Sequence, residues 1–236
     1  MLARTKSEAD TLTTDRRNNR FLPNSTFPES LTVTSLIEIA LNKSDLVIIA
    51  VPSDRFRDNV RQISDHLNPG TVLLSATKGL ELPAAQRMSQ VMQDELPIGL
   101  HSGICVLSGP NLAKEIVRGK PASTVIASQN AASARKSQDT LMSANFRVYT
   151  STDILGVELA GALKNIVALG AGIADGMEAG ENAKATVITR GLAEITRLGI
   201  AAGADPLTFA GLAGLGAVSY THLRAHETLR YLVCRL

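Results

Sequence analysis

Tryptophan is absent from this chain of 236 residues, and aromatic side chains make up only 3% of it. A chain so poor in rings offers no platform on which nucleic-acid bases could stack. Cysteine occurs twice, at Cys105 and Cys234, which gives neither a disulfide framework nor metal-ligand spacing. Net charge is nearly absent too. The formal +2 arises in residues 217–236, where Arg224, Arg230 and Arg235 stand against Glu227 alone, so the preceding residues balance. The body therefore has no basic footprint for DNA, RNA or anionic lipid. The N-terminus, MLARTKSEAD, lacks the apolar core of a secretion signal, and no apolar run of spanning length is free of glycine breaks and polar pairs. Hydrophobic residues at 44% exclude disorder. A cytoplasmic protein with one large or two smaller domains is the expectation.

What is present is an alternation of strand and helix signals. Asp45 to Val51 is short, apolar and β-branched, and Pro52-Ser53 closes it. That pattern predicts a buried parallel strand and then a serine-capped helix over 54–66. Thr71 to Ser75 repeats it after the turn Asn68-Pro69-Gly70. Further signals predict a helix over 84–95, a strand over 104–107 and a helix over 111–118 opened by Gly109-Pro110. A strand over 123–127, a helix over 131–143 and a strand over 147–149 complete this half. Strands spaced by helices imply βαβ units and a mostly parallel, doubly wound sheet. After Ser151 the strand signals stop, and helices are predicted over 158–175, over 182–202 and shortly after Asp205-Pro206. The expected fold class is α/β, a partial doubly wound sheet domain over 1–150 followed by an incomplete all-α domain over 151–216.

Between Glu158 and Asp175 every residue is apolar or glycine except Lys164 and Asn165. A helix of that composition is buried on most faces, and a lysine in it must find partners or lose its proton. A lysine stem lying along apolar surface with its head in water would fit the same pattern. A site lysine is the stronger reading, because of what the other half supplies. In open parallel sheets, ligands sit beyond the carboxyl ends of the strands. Three turns leave strands in that way: Val51-Pro52-Ser53, Ala76-Thr77-Lys78-Gly79 and Ser108-Gly109-Pro110-Asn111. Any one of them holds the Gly and Pro that every turn needs. Three together, with a buried lysine in the next domain, form a cleft pattern.

The ordered set AVPS, ATKGLE, SGPNLAKE, LKNIVALGAG and ITRGLAE resembles the NAD(P)-dependent glycerol-3-phosphate dehydrogenases of bacterial type, from about Asp15 to Gly216. The resemblance implies a Rossmann-like domain and the interconversion of sn-glycerol 3-phosphate and dihydroxyacetone phosphate with NAD or NADP, feeding glycerophospholipid synthesis. It implies that Lys164 is the catalytic lysine, taking the hydroxyl proton in oxidation and returning it in reduction. Lys78, Gly109, Asn111, Lys164 and Asn165 would meet the phosphorylated substrate, and Val51, Pro52, Ser53, Lys78 and Ala113 the cofactor. A homodimer of the full-length parent is a further expectation, with no nucleic acid, membrane span or metal. The chemistry agrees, since a free lysine with pKa near 10.4 is a poor base, whereas desolvation and a second cation at Lys78 would lower that value.

Two departures stand beside the match. The chain contains no G-x-G-x-x-G turn, and Met1 is expected inside the second βα unit. The residue that chooses between NAD and NADP would then sit at or before Met1. At the other end Ala217 takes the place of a family aspartate, and residues 218–236 resemble no part of the family. His222 and His226 lie at i and i+4 but have no third ligand in register. The expectation is a chain truncated at both ends, with a foreign tail over 217–236 and no activity as it stands. The alternatives are another two-domain dehydrogenase, acting on β-hydroxyacids or pyrroline carboxylate, and a non-catalytic binding remnant.

Overall fold

The computed structural model describes residues 1–216. The expectations for Ala217, for the 217–236 tail and for His222 and His226 lie outside the described residues. At the start, Leu2 bridges Thr34 in parallel; Ala3 N donates to Thr34 O at 2.8 Å and Thr34 N to Met1 O at 3.0 Å. Helix α1 (Lys6–Asp15) follows, opened by Thr5, whose hydroxyl accepts from Glu8 N at 3.2 Å. Short α2 (Ile37–Leu41) leads into β1 (Leu46–Ile49). Helix α3 (Phe56–Ser64) then buries Phe56, Val60 and Ile63, the spacing of one helical face. All four residues of β2 (Val72–Ser75) are buried, as a strand covered on both faces requires.

The helix expected over 84–95 starts late. Residues 80–87 form a hairpin of β3 (Leu80–Glu81) and β4 (Gln86–Arg87), and α4 begins only at Met88 (Met88–Glu95). Arg57 of α3 holds the hairpin, donating to Glu81 at 2.8 and 2.7 Å and to Gln86 at 2.7 Å. Beyond it come β5 (Ile104–Ser108), α5 (Ala113–Ile116), β6 (Ala122–Ala127), α6 (Ala131–Leu141) and β7 (Phe146–Ser151). The expected 111–118 helix shrinks to four residues, because the Asn111 side chain turns back to Thr124 of β6. Nor does Ser53 cap an α-helix. It opens a 3₁₀ turn (Ser53–Arg55) while its hydroxyl packs beside Gly79. The sheet runs β1-β2-β5-β6-β7, parallel except where β5 meets β6, with Val106 opposite Ala127.

Among the described residues no strand follows β7. Helix α7 (Ile154–Gly176) opens on Asp153, whose carboxylate accepts from Gly156 N at 2.8 Å. Helices α8 (Glu181–Ala201) and α9 (Pro206–Ala210) complete the fold. By length and composition α7 is apolar enough to cross a membrane, a possibility that the sequence expectation set aside. Here it packs against α8, α9, β5 and β6 through a face that includes Val157, Ala160, Lys164, Val167 and Ala171. One buried cluster joins Phe56, Leu73 and Val106 of the sheet half to Val157, Ala160 and Phe209 of the helical half. The cleft at the strand ends is thus walled by both halves.

Candidate functional site

The turns leaving β1, β2 and β5 converge. Thr77 Oγ1 donates to Val51 O at 2.8 Å, which ties the second turn to the first. A Cβ on Gly79 would stand 2.9 Å from Ser53 Oγ, and its φ of +134° lies where side chains are rarely tolerated, so only glycine lets the two turns touch. Lys78 Nζ donates to Gly109 O at 3.1 Å, which joins the second turn to the third. Asn111 Nδ2 donates to Thr124 Oγ1 at 2.9 Å, and that hydroxyl donates to Ser108 O at 2.9 Å. Val51, Ser53, Lys78, Gly109 and Asn111 are therefore brought together. Pro52 is exposed, Ala113 is exposed at the first turn of α5, and Asn165 lies on the exposed side of α7 next to Lys164.

Lys164 is only 6% exposed. One turn before it, Gly161 presses on the end of β5, where an added Cβ would come within 2.6 Å of Ser108 Oγ. This close approach sets Lys164 beside Lys78, and the two side chains share a hydrogen bond. An ammonium group has three donors and no acceptor, so two lysines can bond only when one is the free amine. Burial pushes the Lys78 ammonium below the ordinary lysine range, and the bond to Lys164 draws it part of the way back. The cleft thus sets the two lysine side chains together, with Lys78 largely buried and Lys164 6% exposed.

Ser108 Oγ and Asn111 Oδ1 are buried beside this pair with no hydrogen-bond partner. Buried polar atoms are normally satisfied, so two orphans at a strand end fit a polar ligand. Among the described residues no group of three His, Cys, Asp or Glu side chains could hold a metal.

Sequence reasoning missed one position outright. An isolated parallel bridge pairs Leu2 with Thr34, and Arg4 follows Ala3 directly after it. Arg4 is exposed and pairs with Glu8 at 3.1 Å. Glu158 was visible only as the acid that bounds the apolar run.

The buried charge at Lys78 has a consequence for stability. In the folded state Lys78 releases its proton more readily than when unfolded, where lysine titrates near 10.5. Between those values the unfolded chain binds more protons, so stability rises with pH through that window. The penalty is full below the folded pKa and gone above the unfolded one. Lys78→Met is expected to melt higher than the parent at pH 7, with the gap narrowing towards pH 10. Melting curves at both pH values check this, and a gap that does not change with pH would contradict it.

Residues 1–134 match the family described as NAD-dependent glycerol-3-phosphate dehydrogenase N-terminus, and residues 153–227 match the corresponding C-terminus. The glycerol-3-phosphate dehydrogenase (NAD(P)+) of Dehalococcoides mccartyi is 54% identical over 215 residues, which cover 91% of this chain and 60% of that relative. Its counterpart from Chlorobium limicola is 44% identical over 223 residues, 94% of this chain and 67% of that relative. Among solved structures, glycerol-3-phosphate dehydrogenase from Coxiella burnetii superposes with a TM-score of 0.85 at 35% identity, covering 93% of this chain and 66% of that one. The chain spans 60% of the length of the Dehalococcoides relative.

Proposed function

The chain belongs to the NAD-dependent glycerol-3-phosphate dehydrogenase family, and from that premise we propose that its strand-end cleft serves the interconversion of sn-glycerol 3-phosphate and dihydroxyacetone phosphate. The observation that carries this reading is the buried Lys164 set one turn after Gly161, which packs against Ser108 and Lys78 at the end of β5, with Lys78 held by Gly109 O at 3.1 Å. A secondary alcohol gives up hydride only as its hydroxyl proton leaves, so a base must stand within hydrogen-bond reach. Lys164 takes that proton in oxidation and returns it in reduction. Lys78, steered by Gly109 O, stands beside it to donate to the oxygen on which negative charge develops. Bound NAD(P) supplies the hydride acceptor or donor.

Gly109, Asn111 and Asn165 complete the substrate side, with Asn111 Oδ1 able to accept from a substrate hydroxyl. Val51, Pro52, Ser53 and Ala113 would hold the cofactor. The same reading makes the protein a cytoplasmic homodimer whose product supplies glycerophospholipid synthesis. The test is reduction by the full-length protein of dihydroxyacetone phosphate, unphosphorylated dihydroxyacetone and a β-ketoacid. Turnover confined to the phosphorylated ketone supports the assignment, and faster turnover of the β-ketoacid would move the chain to the hydroxyacid dehydrogenases.

Arg4 bears on the choice of cofactor. An acidic residue at this point accepts from the ribose 2′-hydroxyl of NAD, whereas an arginine accommodates the 2′-phosphate of NADP. Arg4→Asp is therefore expected to lower the ratio of kcat/KM for NADPH over NADH by about tenfold or more, the scale of one charge-assisted phosphate contact. Steady-state kinetics with both cofactors check this, and an unchanged ratio would remove Arg4 from cofactor choice.

A further inference from the structure

Glu158 lies in the second turn of α7, six residues before Lys164, and its side chain is only 8% exposed. Its carboxylate is fully engaged by the start of α4. Oε1 accepts from Ser89 N at 2.7 Å, while Oε2 accepts from Ser89 Oγ at 2.5 Å and from Arg87 Nη1 at 2.7 Å. Ser89 is itself 3% exposed. A desolvated carboxylate is costly unless all its lone pairs are met with good geometry, and three donors, two of them on one residue, leave it a single seat.

We infer that Glu158 is a positioning residue that seats α7 on α4 and thereby sets Lys164 against Lys78. Two contacts define the seat. On one side Glu158 locks onto Ser89 and Arg87, and one turn later Gly161 meets Ser108. Glu158, Gly161 and Lys78 line one narrow cleft, so the latch and Lys78 share a wall. A helix is rigid over this distance, and at about 1.5 Å per residue Lys164 stands about 9 Å beyond the latch, with its height and rotation set by it. Apolar contacts alone would hold α7 to the sheet but would let it slide or turn, since they are not directional. Well-packed apolar residues would also stabilise such a contact without the desolvation of a carboxylate. What the carboxylate adds is one angle and one height.

This inference rests on the assignment of Lys164 as the acid–base group, so its test needs a readout that does not depend on turnover. Trace acylation of the folded protein across a pH series, quantified residue by residue by mass spectrometry, gives a labelling profile for Lys78 and for Lys164. In Glu158→Ala the midpoint of Lys78 is expected to move up towards that of exposed lysines as the cleft loosens and water enters. Glu158→Gln, which still accepts from Ser89 N, and Ser89→Ala are expected to fall between. In the full-length protein kcat should drop about 10- to 100-fold with KM values nearly unchanged, the effect of misplacing a reacting group by about 1 Å. Wild-type profiles at both lysines in folded Glu158→Ala would overturn the inference and leave the latch a stability element. Should Glu158→Ala not fold, Glu158→Gln and Ser89→Ala decide by the same profiles. Shifted profiles together with full turnover in Lys164→Ala would instead keep the latch and remove the catalytic reading.

Discussion

Lys164→Ala in the full-length protein is expected to lower turnover with dihydroxyacetone phosphate by roughly 10²–10⁴, the contribution of a lost general acid–base group. The same substitution should leave the melting temperature unchanged or raised. Both halves of that expectation follow from where the side chain sits. It is buried in an otherwise apolar helix and shares its hydrogen bond with another lysine. A buried amine in such company contributes little to folding, because its desolvation offsets its bonds. On the proposed function, Lys164 sits there for chemistry and not for stability. A second readout is available in the Lys78 labelling profile. With its partner gone, Lys78 loses the contact that draws its ammonium back up, so its midpoint should fall further below the ordinary lysine value. Steady-state rates, melting curves and that profile test the three statements separately. Turnover within tenfold of the parent would reassign the acid–base role, with Lys78 the first alternative.

The parts of this site that the sequence discloses are those built from continuous stretches. Strands β2 and β5 are buried in a parallel array, while β1 beside them buries only Ile49 and leaves Ile48 exposed where a buried strand was expected, yet all three read as short apolar runs closed by turns. Helix α7 is apolar enough that a single lysine stands out against it. The parts that stay hidden are those made by pairs distant in sequence. Arg57 and Glu81 are 24 positions apart, and their pairing turns an expected helical segment into the β3–β4 hairpin. Glu158 and Ser89 are 69 positions apart, so the carboxylate reads only as the edge of an apolar run. The pairing at the N-terminus is hidden for another reason. The stretch around Leu2, held to Thr34 by an isolated bridge, is too short to show any period.

Phe209→Ala is expected to destabilise the protein by about 3–5 kcal/mol, the scale of an aromatic ring removed from a packed core. The ring is 1% exposed and belongs to α9, a helix of five residues, too short to persist without tertiary contacts. It rests directly on the backbone of α8, where an added Cβ on Gly199 would overlap the ring. Val157 and Ala160 of α7 belong to the same buried cluster. The wall formed by α8 is helical backbone and cannot collapse into the space, so most of the cavity would persist. The Asp153 carboxylate would still hold the start of α9, accepting from Asp205 N at 3.0 Å and from Thr208 Oγ1 at 2.6 Å. Loss should therefore appear as weaker packing of α9 on α7 and α8, with the capped end retained. Urea unfolding monitored at constant m-value measures the change, with Phe209→Leu as the variant that keeps part of the volume and loses less. Because α9 meets the N-terminal turns of α7, the labelling profiles of Lys78 and Lys164 should stay at their parent values below the unfolding transition. A loss under about 1 kcal/mol would mean that the cavity closes and that α9 does not brace the helix carrying Lys164.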